Sequence, residues 1–410
     1  SDFGAHLPVI RYFSFGQNFP AQYPHFPDGT MRYHFMFYFH AANLEYLGLN
    51  LAWALNLPSI LSLVSFSMLL YSLCVGITSR KSAGIWTLVL FTFRSSFAFF
   101  TYSSGFKNLS DFLYAIKNNL NGDQIPREHI GNTLRESWGL WAQKVYVNQR
   151  HIAFAMGLFI LALYLLLPLF MNTIKNLRQA ALKDKRKTKS VAKAAKGTQS
   201  DNKSGIRFYI SEILLTKDSW LPEALVPCIC AGLLLGLTAF WNGAVVIAAI
   251  SVFFVMAALS KHKLEYLIMA VITFFLSTLQ SKIFVGSGTG SVSIQYKPGF
   301  LTETDNILII SKYYTELLGI LPFILAGLII VSISGKSKLI GYALSLVPAA
   351  LLIYLLPSMG IFQSILIISV CLVLLIYLIN FRQSDSLLIS PLYIPVFAAP
   401  IVLATTLQLT

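Results

Sequence analysis

Long apolar runs separated by short polar links dominate the chain from residue 57 onward. The runs extend over about 16 to 20 residues with few charges, which approaches or reaches the length that crosses a bilayer core as a helix. Because backbone polar groups inside lipid need partners within their own segment, each run predicts a transmembrane helix. The predicted spans are 57–75, 85–102, 154–171, 224–240, 244–259, 264–279, 318–333, 339–356, 361–379 and 387–407. The expected fold is therefore all-α, a polytopic transmembrane helical bundle of about ten spans.

Two of the loops also carry apolar residues at helical spacing. The first set is Tyr33, Phe37, His40, Leu44 and Leu47, with Gly48 after it as a helix-ending residue. The second set is Leu134, Trp138, Trp141 and Val145. Amphipathic segments of this kind, rich in Trp and Tyr and placed beside spans, lie in the membrane interface. We therefore expect interfacial helices in both loops.

Composition agrees with a membrane protein, since 56% of the residues are hydrophobic and 12% are charged. The net charge of +14 sits in the links between spans, so we expect no nucleic-acid partner. Lys and Arg mark cytoplasmic links, and the short basic links are Arg80–Lys81, Lys261 with Lys263, and Lys336 with Lys338. Loops 1–56, 103–153 and 280–319 then lie outside, and 172–223 is a basic cytoplasmic linker, which is either simply solvated or lies on anionic membrane lipids.

Four domains follow from this topology. They are an outer catalytic-type loop with an amphipathic helix at 1–56, transmembrane helices at 57–171 with the outer loop 103–153, the linker 172–223, and transmembrane helices at 224–410 with the outer loop 280–319. The chain opens directly on the polar loop, so we expect one further span before it. The predicted location is the plasma membrane, with several passes and the N-terminal loop outside.

Several function classes lack their sequence signatures. The chain has no Walker A motif, no GxGxxG opening a helix, no HExxH and no GxSxG, which argues against ATP-driven transport and soluble nucleotide chemistry. Asp and Glu are nearly absent from the predicted spans, so an ion-coupled transporter would have few groups to use. The four cysteines, Cys74, Cys228, Cys230 and Cys371, lie in apolar runs, and we expect no disulfides.

Polar side chains crowd the segment from Ser1 to Gly48. Asp2 and His6 stand four residues apart, so on a helix they share a face. An Asp beside a His is typical of a general base with an orienting or metal-binding neighbour. The other interpretation is ordinary polarity on a surface loop.

Three further places are candidates. Arg150, beside His151 and before the third predicted span, is either a headgroup anchor or a phosphate ligand. Arg94 lies inside a predicted span, where an ionisable residue faces a cavity or a partner. Trp241-Asn-Gly243 separates two short spans and is interpreted as a turn, with a ligand contact as the alternative.

Ser1-Asp-Phe-Gly-Ala-His6, the Pro-rich stretch 24–27, Arg32-Tyr-His-Phe35 and Gly48 resemble the first outer loop of GT-C superfamily glycosyltransferases. Asn148-Gln-Arg-His151 and Phe240-Trp-Asn-Gly243 are also similar to bacterial membrane proteins of that group. In this superfamily the loop follows the first span and begins with an acidic residue that acts as catalytic base or metal ligand. The sugar donor is a polyprenyl-phosphate lipid taken from the outer leaflet.

The resemblance implies specific roles. Asp2 with His6 would be catalytic, and the same two residues would hold a divalent metal ion if the enzyme uses one; the cofactor stays open. The implied substrate-binding residues are Arg11, Arg32, His34, Arg94, Arg150, His151 and Lys282. The expected activity is sugar transfer in the cell envelope, from the lipid-linked donor to a glycan, lipid or protein acceptor. The alternatives are a transporter or flippase of a lipid-linked glycan and a non-catalytic membrane assembly component.

Overall fold

The computed structural model of the chain describes residues 3–16, 21–31, 34–93, 96–118, 146–147, 149–194, 217–285, 294–302, 304, 306–333 and 393–409, with single positions between 343 and 350. Along the chain these residues form α1 (Phe3–Ser14), β1 (Gln22–Tyr23), β2 (Phe26–Thr30), α2 (Met36–Tyr46), α3 (Leu51–Thr78), α4 (Lys81–Thr92), α5 (Ala98–Ser104), α6 (Leu109–Asn118), α7 (His151–Ala194), a 3₁₀ helix (Lys217–Trp220), α8 (Leu225–Thr238), α9 (Gly243–Leu259), α10 (Lys263–Val285), β3 (Ile294–Tyr296), α11 (Ile307–Leu318), α12 (Leu321–Ile333), α13 (Tyr393–Thr406) and β4 (Leu407–Leu409).

The all-α prediction is confirmed. The strands described form only two short antiparallel pairs, β1 with β2 and β3 with β4. The strands β1 and β2 are close in the sequence, whereas β3 and β4 are far apart in the chain, and neither pair builds a sheet layer.

The number of membrane-crossing helices differs from the prediction. Within the described residues, three helical segments are long and apolar enough to cross a membrane: Leu51–Thr78, His151–Asn176 and Lys263–Phe284. A fourth results if Ile307–Leu318 and Leu321–Gly327, bent by 100° at their junction, count as one broken span. These residues do not support the number ten. The predicted spans 339–356 and 361–379 and the start of 387–407 lie wholly or mostly outside the described part of the chain.

The predicted span 85–102 is interrupted in the structure. Helix α4 ends at Thr92 and α5 begins at Ala98. The Phe97 N–H donates to the carbonyl oxygen of Glu316 at 2.8 Å, and the Ser96 hydroxyl oxygen accepts the N–H of Ala98 at 3.3 Å. A continuous helix would use these N–H groups internally, so the tertiary partner and the capping serine account for the break.

Helix α7 continues beyond its predicted span. The prediction ends at residue 171, whereas the helix extends to Ala194. Thus the first part of the predicted basic linker 172–223 is helical. Lys, Arg and Ala are good helix formers, which favours this continuation.

The chain divides into two compact units. The first comprises Ser1–Leu73, His151–Gly290 and Pro395–Pro400, and the second comprises Cys74–Arg150, Ser291–Ile394 and Ile401–Thr410. In the second unit, β3 pairs with β4 and the Lys297 N–H donates to the carbonyl oxygen of Thr406 at 2.9 Å. The candidate residues that the structure brings together all belong to the first unit.

Helices α8 and α10 of the first unit approach closely. A Cβ atom at Gly232 would lie 2.9 Å from the Cβ of Ile272, and one at Gly236 would lie 2.7 Å from the Cβ of Leu276. The spacing Gly232-xxx-Gly236 is the small-residue pattern that lets membrane helices pack backbone to backbone. Because the two helices are this close, Gln280 Nε2 of α10 reaches the Gly236 carbonyl oxygen of α8 and donates a hydrogen bond to it at 2.8 Å.

The N-terminal module, defined as α1, the β1–β2 pair and α2, packs around an aromatic core. The ring of Phe35 lies 5.5 Å from Phe13 of α1, 5.6 Å from Phe240 and 5.5 Å from Phe284. Because Phe240 follows α8 and Phe284 lies in α10, the module packs on the ends of two apolar helices.

The predicted helix in this module is confirmed as α2, and Gly48 follows it with φ +102°. The predicted apolar face needs correction. The helix buries Phe37, Tyr38, Ala41 and Ala42, whereas Leu47 is 79% exposed. Packing against α1 selects a face with two alanines because they allow close approach. The second predicted interfacial segment, 134–145, lies outside the described residues.

Candidate functional site

Three histidines that are distant in the sequence meet in the first unit. His6 belongs to α1, His34 lies just before α2, and His151 begins α7. The rings of His34 and His151 are 4.0 Å apart, centroid to centroid, and tilted by 49°. His6 stacks on Tyr38 with ring centroids 4.8 Å apart and acts electrostatically on both other histidines. We call His6, His34 and His151 the histidine cluster.

His151 is the most buried member of the cluster. Its residue exposure is 2%, and neither ring nitrogen has a hydrogen-bond partner in the part of the chain that the structure describes. An imidazole carries two nitrogens that donate or accept hydrogen bonds. Leaving such groups buried without a partner costs free energy, so this position favours a hydrogen-bonding group from outside the described chain.

The cluster is a poor place for fixed positive charge. Burial, with a smaller contribution from the nearby His6, lowers the pKa of His34 to about 4. His34 is therefore neutral near pH 7, with one N–H donor and one acceptor nitrogen. Burial also lowers the pKa of His40, whose ring is tilted against Trp241 at 5.9 Å.

Arg11 and Glu45 connect α1 to α2. Arg11 Nε lies 3.0 Å from Glu45 Oε1, with the Arg11 side chain 52% exposed and that of Glu45 10% exposed. The carboxylate thus neutralises part of the charge that was predicted to bind substrate. This ion pair holds Arg11 in place. The guanidinium has five N–H donors, and the side of the guanidinium that faces away from Glu45 stays in contact with solvent.

An aromatic wall adjoins the module at the turn between α8 and α9. Trp241 stacks on Phe154 with centroids 4.0 Å apart and an interplanar angle of 26°, and it meets Phe37 edge-on at 6.2 Å. Asn242 Oδ1 accepts the N–H of Val245 at 3.1 Å and so caps α9. The interpretation of Trp241-Asn-Gly243 as a turn is confirmed, and Trp241 takes part in packing.

Of the remaining predicted residues, the structure describes Lys282 and Arg150. Lys282 is exposed near the end of α10. Arg150 Nε donates to the Val147 carbonyl oxygen at 2.9 Å, and burial lowers the pKa of Arg150. Asp2, Arg32 and Arg94 lie outside the described residues. Their predicted roles stay predictions.

Tyr38 and Glu45 are site residues that our sequence analysis did not select. Glu45 could have been selected from the sequence, because it is the only acidic residue in α2 and a single acidic side chain in an apolar helix needs a partner. Tyr38 could not have been selected in this way, since it lies within a run of aromatic residues and its contact with His6 arises only when α1 packs on α2.

A metal site is not complete within the described residues, which contain no group of three His, Cys, Asp or Glu side chains arranged to hold an ion. A site built on His6 would need Asp2 or other residues beyond this part of the chain. The divalent ion therefore stays an open prediction.

Comparisons with known proteins give no assignment. The chain matches none of the family models, curated proteins or solved structures with which it was compared. The resemblance to the GT-C superfamily therefore rests on the sequence motifs alone.

Proposed function

We propose that this protein is an integral membrane glycosyltransferase of the GT-C type. It moves a sugar from a polyprenyl-phosphate donor to an acceptor on the non-cytoplasmic face of the plasma membrane. The observation that carries the proposal is the N-terminal module, because a segment rich in polar side chains folds over the ends of apolar helices and gathers three histidines. Such a site at the head of membrane helices suits a substrate with an apolar tail and a polar headgroup.

In the proposed reaction Asp2 is the base. Its carboxylate takes the proton from an acceptor hydroxyl, and the hydroxyl oxygen forms a bond to the anomeric carbon of the donor sugar. The bond from that carbon to the phosphate oxygen breaks, and its electron pair leaves with polyprenyl phosphate. The anomeric configuration is inverted, because the attack comes from the face opposite the leaving group.

Cationic side chains stabilise the charge on the leaving phosphate. Arg150 is the first candidate, and Arg32, Arg94 and Lys282 are the others. Arg11 is less suited because Glu45 already pairs with it. A divalent ion, if present, would be held by Asp2 and His6 and would supply further positive charge to the phosphate.

The topology belongs to the same proposal. The chain would cross the membrane about ten times, with the basic links in the cytoplasm and the N-terminal module outside. The three long apolar helices and the possible broken span are compatible with a donor that reaches the module from the lipid.

A second candidate function is transport of a lipid-linked glycan. The 100° bend between α11 and α12 favours it, because transporters build their substrate sites from broken helices. A transporter would move the lipid-linked sugar across the membrane without cleaving it, which separates it from a transferase by experiment.

The decisive experiment is the substitution Asp2→Asn in the full-length protein, followed by mass spectrometry of lipid-linked sugars and surface glycans. We expect transfer to be abolished and expression to be unchanged, with intact donor lipid accumulating in the outer leaflet. Asp111→Asn, on an exposed position of α6, is the matched control and should behave as the wild type. Unchanged transfer in Asp2→Asn would remove Asp2 from the mechanism, and accumulation in the inner leaflet when the protein is deleted would favour the transporter.

A further inference from the structure

His151 is a buried polar residue with unused hydrogen-bonding capacity. Its residue exposure is 2%, and both ring nitrogens lack a hydrogen-bond partner in the described parts of the chain. Large apolar residues fill comparable buried positions elsewhere in α7, such as Leu163, Leu166 and Phe170. A histidine at this place therefore points to a polar group that comes from a ligand.

The neighbours of His151 determine what kind of group fits. The His34 ring lies 4.0 Å from the His151 ring, and His6 is close enough to act electrostatically on both. Positive charges on such close rings repel one another. The pKa of His34, lowered to about 4 mainly by burial, keeps the His34 ring neutral at physiological pH.

A neutral imidazole pair has a definite preference for ligands. A neutral imidazole carries one N–H donor and one acceptor nitrogen, and on His151 both lack a partner within the described residues. A sugar hydroxyl also donates one hydrogen bond and accepts others, so it complements such a pair. A phosphate has only acceptor oxygens when fully ionised, and it binds better to Arg or to fixed cations.

We infer that His151 and His34 form a subsite that binds an uncharged hydroxyl of the sugar rather than the phosphate. This inference rests on the proposed glycosyltransferase function and makes it more specific. It reverses the role that the family resemblance implies for His151.

The test is histidine NMR on the full chain in lipid nanodiscs, with ¹⁵N-labelled histidine. The probes are methyl glycosides of glucose, mannose and galactose in both anomeric forms and, separately, inorganic phosphate. The His151 signal is assigned by its absence in His151→Gln. We expect the His151 and His34 signals to shift with at least one glycoside and to stay unchanged with phosphate. A shift with phosphate alone, or no shift with any probe, would overturn the inference.

Two variants separate hydrogen bonding from packing. His151→Gln keeps a donor and an acceptor, whereas His151→Phe keeps a ring without polar atoms. We expect glycoside affinity to fall roughly tenfold or more in His151→Phe, because a lost hydrogen bond in a buried site has about this effect, and to stay within about threefold in His151→Gln. His40→Phe, in α2 but outside the cluster, is the matched control. Equal affinity in all variants would contradict the subsite, and if His151→Phe fails to fold, the wild-type shifts and His151→Gln still decide.

The inference and the proposed function fail in different ways. If Asp2→Asn abolishes transfer but no glycoside shifts His151, the subsite is wrong and the transferase stands. If glycosides shift His151 but Asp2→Asn transfers normally, the chain has a sugar site and the proposed mechanism is wrong.

Discussion

The histidine cluster and the interface between α8 and α10 both bury polar side chains, but they differ in the hydrogen bonds that those side chains make. At the interface, Thr273 Oγ1 of α10 donates to the Gly232 carbonyl oxygen of α8 at 3.4 Å, and Gln280 Nε2 donates to the Gly236 carbonyl oxygen at 2.8 Å. The fully buried Glu265 accepts the backbone N–H of Glu223 through Oε1 at 2.8 Å. In the cluster, His151 makes no such bond within the described residues.

This difference separates two uses of buried polarity. Hydrogen bonds between helix side chains and backbone carbonyls tie one helix to the next, so their loss reduces stability. A buried imidazole without a partner contributes little to stability, because it bears the cost of desolvation without a compensating bond. Such an imidazole is explained better by the binding of a ligand than by stabilisation of the fold. Substitutions at the interface should therefore act on folding, and substitutions in the cluster should act on ligands.

The largest expected effect is that of Gly236→Leu. A Cβ at Gly236 would lie 2.7 Å from Leu276 Cβ, so the helices must separate and the Gln280 bond is lost. We expect destabilisation of about 3 kcal/mol, at the upper end for overpacking, measured as a lower melting temperature in detergent. Gly76→Leu in α3, where a Cβ meets nothing within 4 Å, should melt as the wild type. Equal melting of both variants would show that close approach of α8 and α10 is not essential.

Glu265→Leu should have a smaller effect on stability. It removes the acceptor for the backbone N–H groups of Glu223 and Ala224 at the start of α8, which costs about 1–3 kcal/mol. Glu223→Gln is the control because its side chain is 66% exposed. Glycoside shifts of His151 should be the same as in the wild type once Glu265→Leu is folded. Their loss in well-folded protein would break the division between the two regions.

The effect that is smallest near neutral pH concerns His34. The folded protein keeps His34 neutral down to about pH 4, whereas the unfolded chain takes up a proton near the ordinary pKa of 6.5. The unfolded state thus binds more protons in this window, and stability should decline as the pH falls from about 6.5 towards 4, with no contribution above it. His34→Gln should reduce this dependence. A His34 NMR titration centred near pH 6.5 would contradict the buried, neutral cluster.

Prediction from sequence succeeded where local pattern determines structure. Helix α2 and the stop at Gly48 follow from spacing and from glycine at positive φ. The turn at Trp241-Asn242 follows from Asn as a helix cap. The break between α4 and α5 was not predictable, because Phe97 bonds to Glu316, far away in the chain.

The site was predictable in part. His6, His34 and His151 were each selected from the sequence, two of them for phosphate or substrate and one for catalysis. Their meeting was not foreseen, because no periodicity connects α1, the segment before α2 and the start of α7. The pairing of Arg11 with Glu45 was also missed, and it makes Arg11 a weaker phosphate candidate than its sequence position implies.

By itself the sequence determined that this chain is helical and apolar enough for a membrane, because helix formation and partition into lipid depend on composition and on spacing within one segment. Only the tertiary structure decided which polar residues meet, which of them are buried, and which stay without a partner in the described chain. Those properties arise from packing between distant segments, where the aromatic core around Phe35 brings α1 and α2 onto the ends of α8 and α10. That packing places His34 against His151 and turns scattered histidines into a candidate site.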